Sequence, residues 1–173
     1  MRRSRVESSR KLALAGFLVC AGLIAFALYL QYFENVEPCP LCMIQRLWFI
    51  GIGIVFLVAA IHGPRGWGTK VYGVLTLAMA VTGAGFAARH VWLTWYPPDI
   101  SNCTADLFFQ LQRFPWLSVL QRALQATGDC AKVDWTLLGL SIPEWSLAWF
   151  VALMVLALVY TTRKGARRSH DFL

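Results

Sequence analysis

Glu37-Pro38-Cys39-Pro40-Leu41-Cys42-Met43-Ile44-Gln45-Arg46 stands at the head of a hydrophobic run that goes from about Ile44 to Ile61. The two cysteines lie where a hydrophobic helix begins. Arg46 follows Cys42 by four residues, so on a helix it lies one turn further in on the same face. At 1.5 Å per residue such a run crosses a hydrocarbon core about 30 Å thick. The stretch therefore reads as a thiol pair and a cation at the surface of a membrane.

Three other runs have the same character. The spans are placed at about 12–33, 44–62, 71–95 and 145–161. The first is too long for a signal-peptide core, and it ends in bulky Tyr29, Tyr32 and Phe33, not in a small-residue cleavage site. The chain of 173 residues is 58% hydrophobic and only 14% charged, where a soluble domain carries about 25% charge. The fold class is therefore an all-α membrane protein, a bundle of four transmembrane helices with two outer loops at 34–43 and 96–144. In the second loop, 114–126 has helical spacing with one apolar face, which predicts a short interfacial helix; a helix packed on a loop core fits the pattern equally well.

Four crossings bring both termini to one side. Eleven of the 16 basic residues lie at the two ends and in the short loop holding Arg65 and Lys70. By the positive-inside rule those segments are cytoplasmic. The net charge of +7 does not point to nucleic acid, because no basic face with interleaved aromatics accompanies it. Tyr29, Tyr32, Phe33, Trp92, Trp95, Tyr96, Trp145 and Trp149 gather near the proposed outer interface.

That topology puts Cys39, Cys42, Cys103 and Cys130 outside and Cys20 in mid-membrane, where it reads as a small hydrophobe. A Cys-x-x-Cys serves redox chemistry, zinc, clusters or haem. Haem attachment needs a following His, and Met43 stands there. A closed zinc site needs four ligands, which Cys103 and Cys130 complete by count, but it leaves Arg46 without a role; no metal is assigned. Redox use has a physical rationale, since a helix N-terminus and a nearby Arg both stabilise a thiolate. Arg46 is read either as snorkelling to headgroups or as holding a quinone oxygen beside Cys42. Cys103 and Cys130 read as a loop staple or as an exchangeable disulfide. Arg89 and His90 are the ionisable pair inside the third run, functional candidates by position, with Arg89 also free to snorkel. His90 is suited to donate to a buried acceptor. Gly83, Ala84, Gly85, Ala87 and Ala88 offer a small-residue surface nearby.

Further wording extends the pattern: Arg89-His90, Trp95-Tyr96-Pro97, Phe114-Pro115-Trp116, Gly128-Asp129-Cys130-Ala131 and Leu138-Gly139-Leu140. With Cys-x-x-Cys-x-x-x-Arg at the second span, the chain resembles the disulfide bond formation protein B family, DsbB, over nearly its whole length. The resemblance implies a multi-pass protein of the bacterial inner membrane that reoxidises a periplasmic DsbA-like thiol oxidase. It implies that Cys103 forms the mixed disulfide with the partner, that Cys130 resolves it and attacks Cys39, and that Cys42 then reacts with ubiquinone or menaquinone. Arg46 and His90 would lie at the quinone. The chain departs from the best-known member at Gln45, where that member has an acidic residue. Two other readings stand beside this one: a scaffold or zinc protein with structural outer cysteines, and a related four-helix reductase that works in the reverse sense.

Overall fold

The computed structural model describes residues 2–35, 38–64, 66–96 and 136–162. The elements are α1 (Arg2–Phe33), α2 (Pro40–His62), α3 (Trp67–Trp95), β1 (Thr136–Leu137), β2 (Leu140–Ser141) and α4 (Ile142–Thr162). All four helices are long and apolar enough to cross a membrane. They form a bundle in which α1 packs on α2, α2 on α3 and α3 on α4, with a smaller contact between α1 and α4.

Each helix turns one narrow seam inward. On α3 the buried positions from Thr69 through Gly73, Thr76, Ala80, Gly83 and Ala87 to His90 alternate in steps of four and three, and Val91 and Leu93 are buried beyond them. On α2 the same alternation runs through Gln45, Phe49, Ile52, Phe56 and Ala59. On α4 it runs through Phe150, Leu153, Ala157 and Tyr160. This is the spacing of left-handed coiled-coil packing. The outward faces carry Leu18, Phe26, Leu47, Ile50, Ile54, Val58, Val74, Val81 and Val155, all exposed. In water those faces would be a liability; toward lipid they are the required surface.

Side-chain size alternates across the seams. α3 brings glycine and alanine, while α2 and α4 bring rings. Phe49 and Phe150 stack with centroids 4.1 Å apart, and Phe56 meets Tyr160 edge to face. A Cβ added at Gly83 would overlap the Phe150 ring, and one at Gly16 would stand 2.7 Å from Phe56 Cδ2. Small residues at such points let backbones approach closely enough for dispersion contacts to hold the helices together. Only part of the small-residue surface expected on α3 serves this purpose. Gly83 and Ala87 are buried, whereas Gly85 and Ala88 face outward.

α2 and α4 start before their hydrophobic runs, because capping groups and not hydropathy set those ends. α2 begins at Pro40, not near residue 44. Cys39 is its N-cap and Pro40 occupies the first turn, where a missing N–H costs nothing. It ends at Gly63, whose left-handed backbone (φ 56°) and N–H bond to Ala59 O close the helix. α4 begins at Ile142, three residues before the expected start. The Glu144 carboxylate accepts from the Ser141 N–H at 2.6 Å and from the Ser141 hydroxyl at 2.8 Å, half of a capping box. It also accepts from Trp95 Nε1 at 3.2 Å, tying the end of α3 to the start of α4. Before α4 stands a small antiparallel hairpin that pairs Thr136 with Ser141 and Leu137 with Leu140. Leu138 and Gly139 turn it with positive φ (54° and 81°), as a two-residue type I′ turn requires. The expected interfacial helix at 114–126 lies outside the described residues.

Gly83→Ala is expected to destabilise the bundle by about 1–3 kcal/mol, the usual effect of overpacking. Gly22→Ala, where an added Cβ meets nothing within 4 Å, should leave it unchanged. Thermal unfolding of both variants in the same detergent, followed by circular dichroism, tests the pair.

Candidate functional site

The site forms where the start of α2 meets the last turns of α3. The first turn of α2 carries Cys39 and Cys42 on one side, because they are three residues apart on a helix. Their sulfurs lie 3.3 Å apart, beyond a covalent bond of about 2.05 Å but close enough to form one by side-chain rotation. The Cys42 N–H points at the Cys39 sulfur, 3.4 Å away. Cys39 therefore does what a serine or aspartate does at other helix starts: its side chain receives an unpaired backbone N–H.

His90 completes the site. It is only 3% exposed, and it arrives on the inward seam of α3, one heptad beyond Gly83. Its Nε2 lies 3.6 Å from Cys39 Sγ and its Nδ1 4.0 Å from Cys42 Sγ. Gln45, 2% exposed, sits 3.1 Å from the same Nδ1 through its Nε2. An amide donating to Nδ1 leaves the ring proton on Nε2, directed at Cys39. Leu41 and Leu93, both buried, pack together beneath the pair, with Phe86 and Cys39 against them. The thiols are thus held on an apolar floor with a polar side formed by His90 and Gln45.

Arg46 lies one turn along α2 and reaches the other way. Its Nη1 donates to Gln31 Oε1 and its Nη2 to the carbonyl of Ala27 at 3.1 Å. Both acceptors belong to α1. Arg46 therefore fastens α1 to α2 near the site, and it is His90, not Arg46, that stands beside the sulfurs. Cys103 and Cys130 lie outside the described residues. Arg89 is half-buried and is given no role. Cys20 is buried in the main core, as a small hydrophobe would be.

Gln31 was not expected at the site, and Gln45 was marked only as the departure from the best-known family member beside Arg46. The sequence held one signal for Gln45: it falls three residues after Cys42 and four after Leu41, on the face that turns inward. No comparable signal marks Gln31, which reaches Arg46 only through the packing of α1 on α2.

A four-helix, multi-pass membrane protein with a cysteine pair at the rim of one helix is the class that fold and site define. The family model for "Disulfide bond formation protein DsbB" matches residues 9–160. Proteins named "Disulfide bond formation protein B" from Azoarcus sp. (strain BH72), Marinobacter nauticus and Aromatoleum aromaticum are 48%, 47% and 45% identical. These alignments cover 88%, 88% and 91% of this chain and 92%, 92% and 95% of those proteins. The chain belongs to the DsbB family, and its role is that of a membrane disulfide oxidoreductase.

The geometry predicts that Cys39 and Cys42 close on mild oxidation without unfolding. In a Cys103→Ser/Cys130→Ser variant, intact-mass measurement should show the loss of two hydrogens, and peptide mapping should assign the bond to Cys39–Cys42. Retention of both thiols at full oxidant would contradict the placement of the pair.

Proposed function

We propose that this protein is a quinone-dependent thiol oxidase of the bacterial inner membrane, with cytoplasmic termini and a periplasmic DsbA-like thiol oxidase as its partner. The observation that carries the reading is the Cys39–Cys42 pair, held at the end of a membrane-spanning helix with a buried histidine 3.6 Å from one sulfur. A structural disulfide needs no such neighbour.

In this reading the electrons enter through Cys103 and Cys130. A thiolate of the partner attacks Cys103, forming a mixed disulfide and releasing Cys130 as a thiolate. Cys130 attacks Cys39 of the inner disulfide, and Cys42 leaves as a thiolate. The partner's second thiolate then resolves the mixed disulfide and frees Cys103, which attacks Cys130 and releases Cys39 as a thiolate. Each step forms one S–S bond and breaks one, so the electron pair moves inward without an added reductant. A quinone supplies the two-electron acceptor that returns the inner pair to the disulfide state. The residues near the pair suit such a molecule. His90 presents a ring N–H, and the Arg46 guanidinium has five N–H donors, of which Gln31 and Ala27 take two. An apolar groove of about 300 Å³ between α1 and α2, lined in part by Ile24, Leu28, Phe49 and Ile50, lies one turn from Arg46. Ubiquinone and menaquinone both fit that chemistry.

Anaerobic single turnover tests the reading: purified protein is mixed with reduced DsbA-like partner and ubiquinone, and the quinone is followed optically. Quinone reduction should match partner oxidation one for one. Cys130→Ser should stop it, and full activity of that variant would overturn the relay. Partner oxidation without quinone reduction would leave a passive disulfide protein. Separately, Arg46→Ala should slow quinone reduction at least tenfold while changing thiol exchange with the partner by less than about twofold, a difference of more than roughly 1 kcal/mol between the two steps. Equal losses would assign Arg46 to holding α1 alone.

A further inference from the structure

We infer that the reduced pair and His90 together form a site for a thiophilic divalent cation such as zinc, one that exists only while Cys39 and Cys42 are thiols. The inference rests on the redox reading above, since it needs a pair that alternates between dithiol and disulfide. It uses three ligands from the inner site alone and none from the long loop.

The donor spacing carries the argument. Cys39 Sγ, Cys42 Sγ and a ring nitrogen of His90 all lie within 4.8 Å of one another. A tetrahedral zinc with bonds of about 2.3 Å to sulfur and about 2.0–2.1 Å to nitrogen places a sulfur and a nitrogen roughly 3.5 Å apart. Cys39 Sγ and His90 Nε2 are 3.6 Å apart. The same geometry places two sulfurs about 3.8 Å apart, so the pair at 3.3 Å has to open by only about 0.5 Å, which side-chain rotation supplies. The fourth position stays open to water.

Two further features suit a cation. A ligating histidine needs its other ring nitrogen held by a hydrogen-bond partner. Gln45 is already in place, buried and 3.1 Å from Nδ1. With Nε2 on the metal the proton moves to Nδ1, and the amide turned over presents Oε1 as acceptor from the same position. Charge also balances: two thiolates and a neutral imidazole around a divalent ion make a neutral centre, which suits a partly buried pair resting on the apolar floor of Leu41 and Leu93. Binding releases two protons from the thiols and transfers no electrons. The disulfide has no thiolate to offer, so oxidation expels the ion, and a bound ion withholds the pair from oxidation.

The test uses the full chain in detergent, in the Cys103→Ser/Cys130→Ser background so that only the inner thiols compete, with no partner or quinone present. Zinc is titrated against a chromophoric chelator into the reduced and the oxidised protein. The expected result is one zinc per reduced chain and none per oxidised chain. Gln45→Leu should weaken binding by about 10–100-fold, the usual effect of losing a partner of a ligating histidine, and His90→Ala by at least as much. Each variant is first shown to close the Cys39–Cys42 bond on oxidation, so that lost binding is not lost folding. With cadmium as the probe, a thiolate-to-metal absorption band should appear in the reduced parent. No zinc uptake by the reduced parent, or equal affinity with and without His90, overturns the inference. Neither outcome touches the oxidase reading, which single turnover reports independently.

Discussion

How closely α3 can approach its neighbours decides everything at the site. His90 reaches the two sulfurs because the seam below it is built of Gly73, Ala80, Gly83 and Ala87. Rings from the neighbouring helices fill the space that these residues leave. Phe150 lies over Gly83 where a side chain would otherwise stand, and it stacks on Phe49 of α2. One aromatic pair thus joins α4, α3 and α2 at mid-bundle. In lipid no hydrophobic force draws helices together, so this fit of small against large holds the histidine in place.

The second constraint is electrical. A helix start at a membrane rim exposes unpaired N–H groups and a partial positive charge. Here the capping side chain is a thiol. Cys39 receives the Cys42 N–H from one side and His90 from the other. Gln45, held inside the bundle, orients the ring. The arrangement has what the proposed thiolate chemistry and metal ligation both require, a sulfur beside a fixed imidazole. Arg46 contributes from a different direction, clamping α1 through Gln31 and Ala27.

Membrane proteins of this size are well suited to reading from sequence. Long uncharged runs have one physical outcome in a bilayer, because backbone groups there must be satisfied within a helix or a closed barrel. All four spans were legible for that reason. Their starts were less so. Hydropathy located α2 near residue 44 and α4 near residue 145, whereas Cys39 with Pro40, and Ser141 with Glu144, start them earlier. The hairpin at 136–141 gave only a weak signal, since a two-residue turn with Leu138 at positive φ runs against the preference of leucine.

The sequence by itself determined the membrane class, the number of spans, the pairing of Cys39 with Cys42 on one helix face, and the family. These are matters of composition, local period and wording, and they need no knowledge of what lies across the bundle. Tertiary structure decided which groups meet. The partners of the thiol pair, His90 and Gln45, come from two helices whose contact depends on side-chain volumes at positions far from the site. Arg46, one turn from Cys42 in sequence, is drawn to α1 because its acceptors are there. Distance along a helix was legible; the direction in which a long side chain turns was not, since that depends on the neighbour that offers it a hydrogen bond.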